Sequence, residues 1–381
     1  MENKKHITLS LISVMVAFLA MGLYDVIGVA SNYLKVDFQL TDTTVGALST
    51  LLFLSFLFFS IPTSALMTKI GQKNTVILSM ALMGLALSFL LISYTFISVI
   101  LFFAVLGVGI TLIQVAASPL LANIVSGKKL SSALTLGQFV KALGSFTVPF
   151  LAAFASQFWG SWTFMLPIVI GFGLFAMFFL RFTPIHEQPV VQGMGIKSTL
   201  GLLNDRVIRI SFLAMLCHVG IDVGMNINAP QLLMERTGCS IEIATYANSV
   251  YFLLRTVGCL IGAITLSKIS SKLFFNIGSV LIAVGFIGLF FAPTVGWLYF
   301  FVGLVGIGNS NVFPIIVARC LLLMPSAKNE VSALMIMGLV GGAIFPLFMG
   351  IASDYLLSQI GGVFVLLAAL LYMATWSMRI K

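Results

Sequence analysis

The sequence predicts an all-α membrane protein whose twelve transmembrane helices form two pseudo-symmetric six-helix halves. Three observations carry that expectation. Apolar residues make up 60% of the 381 and charged residues 8%, with a mean hydropathy of +1.14, far outside the range of soluble domains. The apolar residues fall in twelve runs of membrane-spanning length with short connections between them. Finally, marks in the first half recur in the same order in the second.

The runs lie at 7–34, 44–69, 75–93, 97–125, 131–157, 161–182, 207–234, 243–268, 273–292, 296–324, 331–357 and 361–379. Each reads as a helix, because an open sheet cannot satisfy its edges in lipid and no barrel-type alternation is present. The first run follows no small-residue cleavage site and is expected to stay as a mature helix. It carries Asp25. Runs two and three hold no acid and meet at a basic turn, Lys69 and Lys73. In run four, Gln114 and Ser118 are four apart and share a face; in run five, Gln138, Lys141 and Ser145 do the same. A lipid-facing helix would carry leucine at such positions, so these two runs are expected to line a polar cavity.

Run six carries no charge before Arg181 near its end. The segment 183–206, with Pro184, Pro189 and three glycines, reads as a linker between halves 1–182 and 207–381. Run seven carries His218, Asp222 and Asn226 at four-residue spacing, and run eight carries Arg255. Run nine has no mid-span charge. Run ten holds Asn309 and Asn311, run eleven carries Pro346 near its middle, and run twelve closes the chain. Pro119, Pro149, Pro314 and Pro346 are expected to kink their helices, and the glycines at 107, 109, 303, 306 and 308 to allow close helix approach.

The repeat has an offset near 200. Asp25-Val26 recurs as Asp222-Val223 and PFLAAFAS from Pro149 as PLFMGIAS from Pro346, both 197 residues on. The Gly107-Val-Gly109 and Lys69/Lys73 marks recur 199 on, and SAL at 132–134 recurs at 332–334. Parallel halves of this kind place a solute site near the midplane at their interface.

Lys and Arg decide the orientation. Sixteen lie at the termini and even-numbered loops, from Lys4 and Lys5 to Lys128, Lys129 and Lys381, while the opposite loops hold only Lys35 and Arg236. Both termini are therefore expected in the cytoplasm. The net charge of +9 is thus topology rather than a nucleic-acid footprint. Cys217, Cys239, Cys259 and Cys320 show neither a disulfide framework nor metal spacing. No Walker loop, zinc spacing or Ser-His-Asp set is present, so an enzyme is not expected.

Several segments resemble the fucose–proton symporter family of the major facilitator superfamily. LIQVAASPL (112–120) and ALTLGQFVK (133–141) are similar to that family's LETAANPF and RLNLAQxFN segments; Tyr24-Asp25 is similar to its first-span Asn-Asp pair. HVGIDVG (218–224), GNSNVFP (308–314) and VSALMIMGLVGGAIFPLFMG (331–350) resemble its seventh, tenth and eleventh spans. The resemblance implies the major facilitator fold and proton-coupled symport of a sugar or sugar-like solute by alternating access. It implies no cofactor beyond the coupling proton, with sodium the other candidate ion. The short loops and reduced-type cysteines point to a bacterial cytoplasmic membrane, where the protein is expected as a monomer in contact with membrane lipid. Residue by residue, Asp25 takes the place of the proton-coupling carboxylate and Gln138 that of a sugar-contacting glutamine. Gln114 stands where the family has glutamate and Lys141 where it has asparagine, which moves the site's charge by two units toward positive.

The residues leave alternatives open. Asp25 either carries the proton or forms a structural salt bridge with Lys141; the two are compatible if protonation releases the lysine. Asp222 and His218 either titrate, or with Asn226 form a hydrogen-bonded seam. Arg255 either binds an anionic group or pairs with Asp222. Asn309 and Asn311 either meet hydroxyls or join helices. A second transporter reading therefore takes an acidic sugar or other organic anion on Lys141 and Arg255. A third reading, from another class, is a non-transporting receptor or scaffold of the same fold. In the first reading Gln114, Gln138, Lys141, Asn226, Asn309, Asn311 and Arg255 contact substrate, while Asp25, Asp222 and His218 handle protons.

Overall fold

The computed structural model describes residues 2–40, 42–127, 129–187, 195–239 and 241–379. Lys128, Pro189, Gly193 and Lys381, within the segments singled out above, lie outside them. The described chain folds as α1 (Glu2–Leu23), α2 (Ile27–Asp37), α3 (Asp42–Ile70), α4 (Gln72–Ile92), α5 (Phe96–Ile124), α6 (Lys129–Trp159), α7 (Met165–Phe182) and α8 (Ile196–Gly201). There follow α9 (Arg206–Thr237), α10 (Ile241–Thr265), α11 (Ser271–Phe291), α12 (Val295–Asn309), α13 (Val312–Leu323), α14 (Lys328–Met337), α15 (Gly341–Leu356) and α16 (Ile360–Arg379). Among the described residues eleven helical segments are long and apolar enough to cross a membrane, and Ile360–Trp376 is a shorter apolar one. Together they account for the twelve runs.

Three runs expected to be single helices are not. The first breaks at Tyr24–Val26 between α1 and α2, the tenth at Ser310–Asn311 between α12 and α13, and the eleventh at a short 3-10 turn, Gly338–Val340, between α14 and α15. Hydropathy continues across each break, so run length conceals it. Pro314 does not kink a helix. It lies in the first turn of α13, where its missing N–H has no ladder partner to deprive. Pro119, Pro149 and Pro346 do lie inside helices, as do Pro62 and Pro230.

Helix starts are fixed by side chains that accept from orphan N–H groups. Asp205 Oδ1 accepts from Val207 N and Ile208 N at α9, and Ser270 caps α11. Two glutamates do this from a distance in sequence. Glu187 accepts from Gln72 N at 2.6 Å and Lys73 N at 2.7 Å, closing the start of α4 beside Gly71, whose φ of 86° suits glycine. Glu235 accepts from Gln359 N and Ser358 Oγ, each at 2.5 Å, before α16. A carboxylate at a helix N-terminus also meets the positive end of its dipole. Glu187→Ala is therefore expected to cost about 1 kcal/mol, read as a lowered Tm in detergent; an unchanged Tm would remove the cap from the account.

The chain divides into two compact units, Met1–Leu130 with Gly137–Thr199 and Met324–Met337, and Ser131–Leu136 with Leu200–Leu323 and Gly338–Lys381. In the first unit α4 and α5 pack along their length, α3 lies on α5, α7 on α4 and α1, and α14 on α3 and α5. The segment around α14 is held by polar contacts. Gln72 Nε2 donates to Asn329 Oδ1 at 2.6 Å, Asn123 Nδ2 donates to Gln72 Oε1, and Ser332 Oγ donates to the Val115 carbonyl at 2.7 Å. Lys73 Nζ donates to the carbonyls of Arg181 (2.9 Å) and Thr183 (2.7 Å), satisfying the end of α7. At the other end of this unit, Asp37 accepts from Tyr94 Oη (2.5 Å) and Trp162 Nε1 (3.3 Å), and Tyr33 stacks on Trp162. Burial, reinforced by the Asp37 bond, raises the Tyr94 phenol above its usual range.

In the second unit α12 packs on α10 and α11, and α16 joins α9, α11 and α15. Gly278 and Gly308 face each other there, each where an added Cβ would strike the other's carbonyl oxygen.

Candidate functional site

Each unit carries its own polar cluster. In the first, α1 and α6 cross with glycine against glycine: a Cβ on Gly22 would meet the Lys141 carbonyl and the Gly144 Cα, and one on Gly144 would meet Gly22. That contact brings the break after α1 against the polar face of α6. At the break the helical ladder gives way. Tyr24 N still donates to Ala20 O at 2.9 Å, Asp25 N donates three residues back to Gly22 O at 3.1 Å, and the ladder restarts with Ala30 N to Val26 O at 2.8 Å. Tyr24 and Val26 are buried while Asp25 is exposed. Ser145 Oγ donates to Asp25 Oδ2 at 3.1 Å. Lys141 and Gln138, one and two turns before Ser145 on α6, are half-buried on the same face. Gln114 is half-buried on α5, one turn before buried Ser118.

The second unit brings together His218, Asp222, Arg255 and Asn309, with Tyr251 joining them. Arg255 Nη2 lies 3.2 Å from Asp222 Oδ2, the two side chains 29% and 17% exposed. Tyr251 Oη donates to Asp222 Oδ1 at 2.7 Å. Asn309 Nδ2 donates to Tyr251 Oη at 3.1 Å, and Asn309 Oδ1 faces His218 Nδ1 at 2.8 Å.

The directions follow from chemistry. The tyrosine proton goes to the carboxylate, so its oxygen accepts the asparagine amide. That fixes the amide, leaving its acceptor oxygen on the histidine, whose Nδ1 must donate. Every donation in the chain runs toward Asp222. An amide cannot pass a proton along in this arrangement, so the chain orients groups rather than conducting.

The asparagines predicted beside them are engaged differently. Asn226 Nδ2 donates to the Asp222 carbonyl one turn back at 2.7 Å. Asn311, 2% exposed, donates to Gly258 O (2.8 Å) and Ser310 Oγ (2.6 Å), stitching the break of run ten to α10. Its amide hydrogens are directed at protein in this structure. Tyr251 is not among the sequence candidates, because its surroundings, SVYFLL, read as lipid-facing. The signal is its spacing, four residues before Arg255 and hence on the same face. The four cysteines are free, and among the described residues no group of three or more His, Cys, Asp or Glu could hold a metal.

The model of the family described as Major Facilitator Superfamily matches residues 11–346. The chain belongs to the Major Facilitator Superfamily. It is accordingly a multi-pass membrane transporter of that superfamily, not an enzyme. A glucose/galactose transporter of Brucella abortus is 24% identical over 341 residues, covering 84% of this chain and 82% of that protein. Among solved structures, a point variant of the Escherichia coli fucose:proton symporter superposes with a TM-score of 0.83 at 15% identity, covering 98% of this chain and 97% of that one. The proton:xylose symporter XylE superposes with a TM-score of 0.75 at 15% identity, covering 99% and 95%. At these identities the structural likeness speaks for the major facilitator fold alone.

Proposed function

We propose that this transporter is a symporter for a neutral, hydroxyl-rich sugar, coupled to protons at Asp25, that works by alternating access between two halves joined through 183–206. The observation that carries the coupling assignment is the contrast between the two repeat-related carboxylates. Asp222 lies in the unbroken α9 with both oxygens engaged, by Tyr251 and Arg255. A proton arriving there would have to displace the guanidinium or the phenol. Asp25 lies in a helix break, exposed, with a serine hydroxyl as its neighbour. Broken helices are where transporters of this kind handle coupling ions. A carboxylate that can exchange with water suits loading and release of a proton. Sodium at the same carboxylate is the competing coupling ion.

Charge supports a neutral substrate. Within the second unit the charge of Arg255 is already met by Asp222. Gln114, Gln138, Lys141 and the exposed side of the Arg255 pair are the groups we assign to sugar hydroxyls. The glucose/galactose relative and the sugar:proton symporters of the same fold support this reading. The acidic-sugar reading makes a substrate carboxylate compete with Asp222 for Arg255. We place the protein as a monomer in a bacterial cytoplasmic membrane, with both termini cytoplasmic because the basic residues gather in the termini and even-numbered loops.

The test is proton movement and uptake in proteoliposomes, first without and then with sodium, on adding glucose, galactose or fucose, then glucuronic or sialic acid. Alkalinisation outside with a neutral hexose alone is the expected result. A response only to the acids would transfer the substrate to the anion reading. Hexose uptake that needs sodium and moves no proton would remove Asp25 as a proton site.

A further inference from the structure

We infer that Tyr24 is a positioning residue: its ring, seated in a slot left by Gly84 and Gly173, wedges the first span open so that Asp25 faces water. Four observations place it there. Tyr24 is the first residue of the break and is 1% exposed, among the largest fully buried side chains of the protein. A Cβ on Gly173 of α7 would land on the Tyr24 ring and hydroxyl, and one on Gly84 of α4 would stand 3.4 Å from the same hydroxyl. On α7, then, any side chain at position 173 would occupy the space of this ring, while α4 closes the slot at van der Waals distance beside Gly84. Val26, at 0% exposure, fixes the far side of the break, so burial alternates in, out, in across Tyr24, Asp25 and Val26.

Nothing in the local sequence breaks the helix by itself, since Tyr24-Asp25-Val26 holds neither proline nor glycine. Left to local preference, Leu23 to Ile27 could continue α1 into α2 with its ladder intact. A regular helix would then set Asp25 on the face of Gly22, three residues back, which packs against α6. The tyrosine in its slot offsets the lost ladder bonds with buried aromatic area. The ring fills the body of the slot beside Gly173, and the hydroxyl occupies only its far end beside Gly84. Tyr24→Phe should therefore preserve the break, while Tyr24→Ala should empty the slot and Gly173→Ala should expel the ring.

The functional consequence rests on the proposal that Asp25 carries the proton; the wedge itself does not, and the experiment keeps the two apart. The full-length chain with Cys239→Ser and Asp25→Cys is labelled with a water-soluble maleimide. The remaining cysteines, Cys217, Cys259 and Cys320, are buried. Adding Tyr24→Ala or Gly173→Ala is expected to slow labelling of position 25 by about tenfold, and Tyr24→Phe by less than about twofold, misplacement of a group being felt steeply with distance. Gly173→Ala combined with Tyr24→Ala should be no slower than Tyr24→Ala alone, because the glycine acts only through the ring. Equal labelling in every variant that still elutes as folded protein would overturn the wedge, and so would slowing by Tyr24→Phe equal to that by Tyr24→Ala.

Transport is measured separately, with Asp25 restored. Tyr24→Ala should retain galactose exchange and lose proton-driven accumulation, with Tyr24→Phe restoring it. If labelling changes as expected and no sugar moves in any variant, the transport proposal fails and the wedge stands.

Discussion

Asp25→Asn is expected to abolish uphill accumulation of the sugar while equilibrium exchange across the membrane continues. Asparagine keeps the shape of the protonated carboxyl and can still meet Ser145, but it cannot gain or lose a proton. The variant should therefore behave as a permanently loaded carrier. One proton moving with one sugar down 100 mV supplies about 2.3 kcal/mol, which is an accumulation of about fiftyfold at about 1.4 kcal/mol per factor of ten. In the variant the inside-to-outside ratio should fall to about one, so the expected loss is nearly the whole of that factor. Proteoliposomes carrying labelled galactose and an imposed potential measure both quantities. Accumulation unchanged in Asp25→Asn would return Asp25 to a structural role beside Lys141. Loss of exchange together with accumulation would mean that Asp25 is needed to bind sugar, and not only to couple it.

The same carboxylate marks where sequence reading ends. The spans and the mid-span polar residues are legible because lipid imposes so strong a rule on composition: a run is apolar or it is not in the membrane. Asp25, Asp222 and Arg255 stand out against that background for the same reason. The break that exposes Asp25 is not legible. In the inference above it is made by Tyr24 filling the space beside Gly173, on a helix 149 residues away in the chain. The breaks in runs ten and eleven leave more trace. Asn309-Ser310-Asn311 ahead of Pro314 and the glycines of Gly338-Leu339-Val340-Gly341-Gly342 are poor helix interiors. Tyr251 is hidden for another reason. An aromatic in an apolar run reads as lipid-facing until its hydroxyl is seen on a carboxylate.

Arg255→Ala should be the most damaging single change in the second unit, and the comparison that explains why is with Asp222→Asn/Arg255→Ala. Removing the guanidinium alone leaves a mostly buried carboxylate with only the Tyr251 hydroxyl on it. Stranding one partner of a buried pair costs about 3–5 kcal/mol. With Arg255 29% exposed, water can reach part of the vacated space, so the lower end of that range is the expectation. Replacing Asp222 as well removes the stranded charge, and the double variant should recover most of the loss. Its asparagine can still accept from Tyr251, keeping the chain through Asn309 to His218. Tyr251→Phe should fall between, at about 1–3 kcal/mol, since it leaves the Asn309 amide and one carboxylate oxygen without their bond.

Thermal unfolding in detergent ranks the three. The predicted order is wild type, the double variant, Tyr251→Phe and then Arg255→Ala. Galactose exchange by the double variant would then show that the pair serves to position α9 against α10. If instead Arg255→Ala alone is as stable as wild type, the guanidinium is not needed by Asp222. Arg255 is then available to a ligand, and the acidic sugars become the substrates to test first.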